Sequence, residues 1–235
     1  MAIKFFSQAV LSLALLSLLA CGGGKSSGGG SGQEKSGQQE ARSSKQLFRA
    51  VLKPMNPTMS GETSGVVLFR IENDDLVVEE TVINAPTDVR HFQAVMAGKS
   101  CAAIDDNQDG YIDIVEGMKV FSQRLIPLDS NLDSQIEGMD FGPIANEANA
   151  FVYRRSTSLS KLLSDLTATD PNDEDDLVKI GQEKNLKLAS RVVVIFGTNR
   201  AVPDTVQGNI TYSPSEGLPI ACGELESFKE ELTVE

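Results

Sequence analysis

Residues 105–116 read Asp-Asp-Asn-Gln-Asp-Gly-Tyr-Ile-Asp-Ile-Val-Glu, an order of oxygen-bearing groups suited to a hard cation. Ca²⁺ takes about six to eight oxygens, and an EF-hand loop draws them from alternate positions closed by a glutamate. Here Asp105, Asn107 and Asp109 would supply the first side-chain ligands, and Tyr111 its backbone carbonyl. Asp113 would bind directly or through water, and Glu116 would close the site with two oxygens. Gly110, at the sixth position, permits the sharp turn. Ligand carboxylates this close in sequence repel one another unless a cation sits among them. The plain alternative is a solvated acidic turn.

The elements around this loop are less regular than an EF-hand requires. Gly98 and Cys101 interrupt a helix on the incoming side, and Gly117 weakens one expected over 115–123. No second loop matches, since the acidic stretch 170–176 has Asp175 at the turn glycine and Gly181 at the closing carboxylate. That stretch reads as a solvated face. A lone loop implies a structural or surface calcium site of modest affinity, not a sensor that opens a groove.

Other chemistry is thinly provided. The chain has 1 histidine, His91, so a Ser-His-Asp system would have to use it, and no G-x-S-x-G turn accompanies it. Clusters of His and Cys for zinc are absent, and Gly24-Lys25-Ser26 lacks the earlier glycine, strand and helix of a phosphate loop. Paired carboxylates for hydrolysis stay open in so acidic a chain, although 0 Trp and 3 Tyr leave little surface to stack a sugar. No catalytic residue is assigned. The net charge of −12 argues against nucleic acid as a partner.

The N-terminus sets the compartment. Lys4, the apolar run 9–20 and small residues near its end form a secretory signal, too short for the roughly 20 apolar residues of a comfortable span. Leu18-Leu19-Ala20-Cys21-Gly22 resembles the lipobox of bacterial lipoproteins, which implies cleavage before Cys21 and acylation of its thiol. Residues 1–20 are thus read as a signal peptide and 21–44 as a lipidated, disordered Gly/Ser-rich tether of roughly 25–30 Å span. Gly22, by resemblance to lipoprotein sorting, implies the outer membrane. Residues 45–235 form a single domain large enough for a real core. Its two cysteines, Cys101 and Cys222, would meet oxidising conditions, where such a pair most often bridges; two buried thiols are the alternative.

Strands are expected at 46–53, 65–72, 76–84, 150–155, 190–197 and 217–225, with a tight turn at Asn73-Asp74-Asp75. Helical spacing marks 158–166 and 173–188. The pattern is a β-rich sandwich with short helices in its connections.

Three segments then carry a family resemblance. Asp88 to Gly98 (DVRHFQAVMAG), followed by Cys101 and the acidic loop, resembles the copper-ligand segment of superoxide dismutase-like and chordin-domain lipoproteins. Leu218 to Gly223 resembles the closing Ala-Cys-Gly strand of copper–zinc superoxide dismutases, and Val193 to Gly197 the strand before a late copper ligand. The resemblance implies a Greek-key β-sandwich and a Cys101–Cys222 bridge. Ala94, Met96 and Phe196 stand where the family's copper histidines would fall, and 1 histidine cannot build a copper–zinc site, so composition alone excludes dismutase activity even if the fold is right. His91 is expected to be a strand-end residue, exposed or hydrogen-bonded; a single metal ligand or general base is the alternative. These readings combine into a surface-tethered lipoprotein with Ca²⁺ as its ligand; a calcium-dependent adhesion or partner-binding module is the second reading, a carboxylate hydrolase the third.

Overall fold

The computed structural model describes residues 45–133, 142–167, 185–209 and 211–229. Signal, Cys21 and tether lie outside them, as do the acidic stretch 170–176 and most of the helix expected over 173–188.

The described chain is mainly β. Its strands are β1 (Gln46–Pro54), β2 (Ser64–Glu72), β3 (Asp75–Ile83), β4 (Gln93–Met96), β5 (Arg124–Pro127), β6 (Phe151–Ser158), β7 (Val192–Phe196) and β8 (Pro219–Phe228). They pair antiparallel in an eight-stranded sheet of order β5-β4-β7-β8-β1-β2-β3-β6. Three short helices sit in the connections: α1 (Pro57–Ser60), α2 (Ile114–Phe121) and α3 (Leu159–Thr167).

Period-two alternation explains the curl of the sheet. Ala50 and Leu52, Val67 and Phe69, and Leu76, Val78 and Val82 all point to one face. They share a core with Val95, Leu125, Val193, Ile195, Ile220 and Leu225 from the other half of the sheet. Each fully buried Leu, Val or Phe adds roughly 1.5–3 kcal/mol. The β2–β3 ladder runs from Ser64↔Ile83 to Glu72↔Asp75, and Asn73 takes the left-handed turn at φ 56°. Asp74 also starts α3, accepting the Ser160 amide at 2.8 Å and the Ser158 hydroxyl at 2.6 Å. The Ser158 and Ser160 hydrogen bonds hold its carboxyl below the usual carboxylate value.

Four expectations need correction. β4 and β5 were not anticipated: they are four residues each and almost wholly buried, so no alternation marks them. Residues 185–187 are not helical, and only a 3₁₀ turn, Leu188–Ser190, follows. β6 runs three residues beyond 155, to Ser158, because the whole strand pairs with β3. The helix expected over 115–123 runs Ile114–Phe121 and ends at Ser122, with φ 61°; Gly117 lies inside it, where an added Cβ would stand 2.4 Å from the Phe121 ring. The glycine lets Phe121 fold back against its own helix.

Cys101 and Cys222 form a disulfide, Cα atoms 5.8 Å apart, that ties the segment before α2 to β8.

Candidate functional site

The acidic loop is wound around its own side-chain oxygens. Asp105 accepts the Asp109 amide at 3.1 Å on Oδ1 and the Gly110 amide at 2.8 Å on Oδ2. Asn107 Oδ1 accepts the Asp109 amide at 2.9 Å, and Asp109 Oδ1 accepts the Tyr111 amide at 2.9 Å. Glu116 reaches back from α2, its Oε1 accepting the Asp106 amide at 2.8 Å and the Asn107 amide at 3.2 Å. Gly110 turns the chain at φ 89° with nothing within 4 Å of a Cβ, and Gln108 also takes a left-handed φ of 60°. Asp105, Asn107 and Asp109 thus lie on one short coil, while Asp113 caps α2 and Glu116 lies in its first turn.

Asp113 and Glu116 also start the outgoing helix. The Asp113 carboxylate accepts the Glu116 amide at 2.9 Å while Glu116 Oε2 accepts the Asp113 amide at 3.2 Å, a reciprocal capping box. The incoming side has no helix. Its place is taken by the disulfide, which fixes Cys101 four residues ahead of Asp105.

Contacts distant in sequence hold the loop to the sheet. The buried Asn56 donates from Nδ2 to the carbonyls of Ile112 at 2.8 Å and Pro219 at 2.9 Å, and its Oδ1 accepts the Ile112 amide at 2.7 Å. The Gln207 amide donates to Asp113 Oδ2 at 2.9 Å. Asn56 carries no sequence signal of this role, because its partners are 56 and 163 residues away.

The charge balance leaves the loop anionic. Lys119 reaches Asp106, outside the ligand series, at 2.5 Å, and that hydrogen bond raises its pKa. Burial is the largest single influence on Asp109 and pushes its carboxyl up, but hydrogen bonds from Thr205, the Tyr111 amide and Asn107 together outweigh it and leave the carboxyl below its ordinary value. Among the described residues, no group of three or more His, Cys, Asp or Glu side chains is assembled to hold a metal ion. The loop carboxylates of Asp105, Asp109 and Glu116 are instead engaged with its own backbone amides. Glu116 would have to exchange its amide bonds for an ion.

The positions compared with copper ligands hold no metal chemistry. Ala94, Met96 and Phe196 lie in a second apolar cluster with Ile114 of α2 and Tyr212. A cavity of ≈ 40 Å³ lies beside them, lined also by Phe92, Met118 and Arg124. Arg124 hydrogen-bonds the Tyr212 hydroxyl. His91 is fully buried, stacked on Phe151 with ring centroids 5.5 Å apart. Its Nε2 lies 2.8 Å from the Pro86 carbonyl and its Nδ1 3.2 Å from that of Phe196. Burial holds its pKa down, against the pull of those carbonyls. His91 staples loops together: of its two expected placements, hydrogen-bonded is found and exposed is not.

No protein-family model matches this chain, and no curated protein matches it.

Proposed function

We propose that the chain is a bacterial lipoprotein, anchored through acylated Cys21 to the outer membrane, whose β domain presents one calcium loop and catalyses no reaction. The observation that carries this reading is the loop at 105–116, wound with its ligand side chains turned inward and capped onto α2 by Asp113 and Glu116. Calcium would draw the Glu116 carboxylate off the Asp106 and Asn107 amides, offset part of the loop's negative charge, and fix the disulfide-bound segment against α2. Modest affinity suffices outside the cell, where calcium is millimolar.

The domain is read as a Greek-key sandwich similar to superoxide dismutase. Support comes from β4 lying beside β7, with β1, β2 and β3 a meander flanked by β6 and β8. The second reading, a calcium-dependent partner-binding module, draws on an exposed row of cross-strand neighbours, Val51, Val66, Thr81 and Val152.

Thermal melts test the calcium reading. With calcium at about ten times its Kd, binding to the folded state adds roughly 1.4 kcal/mol, a rise in Tm of about 3–5 °C that chelator reverses. An unchanged melt across millimolar calcium would remove it. The anchor is tested separately: Cys21→Ser should abolish incorporation of labelled palmitate and release the chain from the membrane fraction. Continued labelling of that variant would refute lipidation at Cys21.

A further inference from the structure

The core holds a polar cluster that no part of the calcium reading uses. On β3, Glu80 alternates with Val78 and Val82, so its side chain points into the main core, where it is 2 % exposed. Its cross-strand partner on β6 is Tyr153, which faces the same core beside Phe151. From the opposite half of the sheet, Gln93 on β4 points inward with Val95 and donates from Nε2 to the Leu128 carbonyl at 3.1 Å. Both Glu80 carboxylate oxygens, Gln93 Oε1 and the Tyr153 hydroxyl are buried without a hydrogen-bond partner. A buried polar atom left unpaired costs about 1–3 kcal/mol, more if charged, so four together require an account.

Counting donors supplies one. With Glu80 ionised, three of the four atoms are acceptors only, and a full charge sits in an apolar core. One added proton turns a Glu80 oxygen into a donor and removes the charge. The surroundings do not favour the anion. Asp129, after β5, and Glu80 both push the Tyr153 pKa up, after burial as the main cause. Arg155 on β6 opposes this, but its guanidinium lies over the Tyr153 ring and donates to the Ser130 and Arg154 carbonyls. The β2 partner of Glu80 is Val67, and β4 offers only neutral Gln93. His91, ahead of β4, is engaged with the Pro86 and Phe196 carbonyls.

We propose that Glu80 is a proton-binding site: it stands in the core as the neutral acid, donating to Gln93 Oε1. The chain Glu80–Gln93–Leu128 then clasps β3, with β6 paired beside it, to β4 and the end of β5. These are the two ends of the sheet, which no strand ladder joins among the described residues. Closure of the curled sheet is therefore proton-dependent. Burial raises the Glu80 carboxyl from 4.5 to about 8; Gln93 lies close enough to restrain the rise, although neither Glu80 oxygen completes a hydrogen bond with it. Because the folded value is the higher one, the stabilisation is complete below 4.5 and is lost as pH climbs to about 8.

The test is infrared spectroscopy of the full-length chain, paired with denaturant unfolding of wild type and Glu80→Gln. At pH 7 the ordinary carboxylates are ionised, so the wild type should show a protonated-acid carbonyl band that disappears with a midpoint near about 8. Glu80→Gln, whose amide imitates the neutral acid, should lack the band. Relative to that variant, the wild-type folding constant should fall by about tenfold per pH unit between pH 5.5 and 7.5. Absence of the band at pH 7, or its persistence in the variant, overturns the proposal. So does a pH-independent ratio of folding constants. If Glu80→Gln does not fold, the wild-type band and its midpoint decide alone.

Discussion

Replacing Cys101 or Cys222 with serine is expected to lower the stability of the domain by about 4–5 kcal/mol. The bridge closes 121 residues of chain, so in the unfolded state it removes the entropy of a very long loop. Its loss is also felt locally. Cys101 is the anchor that replaces an incoming helix for the 105–116 loop, and Cys222 lies in β8 between β1 and β7. Chemical denaturation of wild type and Cys101→Ser/Cys222→Ser double variant, in the presence of calcium, measures both parts. A difference below about 1 kcal/mol would show that the bridge constrains little beyond what the sheet already fixes.

The second large effect is assigned to Asn56. Asn56→Ala is expected to cost about 3 kcal/mol and to weaken calcium binding, although Asn56 is not a ligand. The substitution strands the Ile112 amide and the Ile112 and Pro219 carbonyls at the join between loop and sheet. It also places alanine at φ 50°, a left-handed conformation that costs a residue with a Cβ roughly 1–2 kcal/mol. Asn56→Gly keeps the backbone free and loses only the side-chain bonds, so it should be the milder by about 1 kcal/mol. Unfolding curves of the two variants separate the contributions. Equal stability of Asn56→Ala and wild type would mean that Asn56 does not position the loop.

Sequence pattern made the long strands legible because their buried faces alternate. Leu76, Val78 and Val82 against Thr81 and Ile83 is a period-two signal, and β3 appears within one residue of its expected span. Short runs of three or four consecutive buried residues carry no such signal, so nothing in the sequence marks β4 and β5. Tertiary pairing with β7 and with each other makes them strands. The loop's winding was legible because oxygens, glycine and closing glutamate fall at fixed spacings. Its attachments were not: Asn56 and Gln207 reach it from segments with no motif of their own. The helical reading of α2 stood despite Gly117, because Phe121 occupies the space that a side chain there would need. Glu80 shows the opposite lesson. Its place in the alternation points it inward, yet residue type alone reads it as an exposed strand position.

Calcium titration by calorimetry on the purified chain is the most direct test, run beside an Asp105→Ala/Glu116→Ala control. The account predicts saturable binding of one ion with modest affinity, absent in the control. A titration without heat, or equal binding by the control, would contradict it and leave 105–116 a self-satisfied acidic turn capping α2.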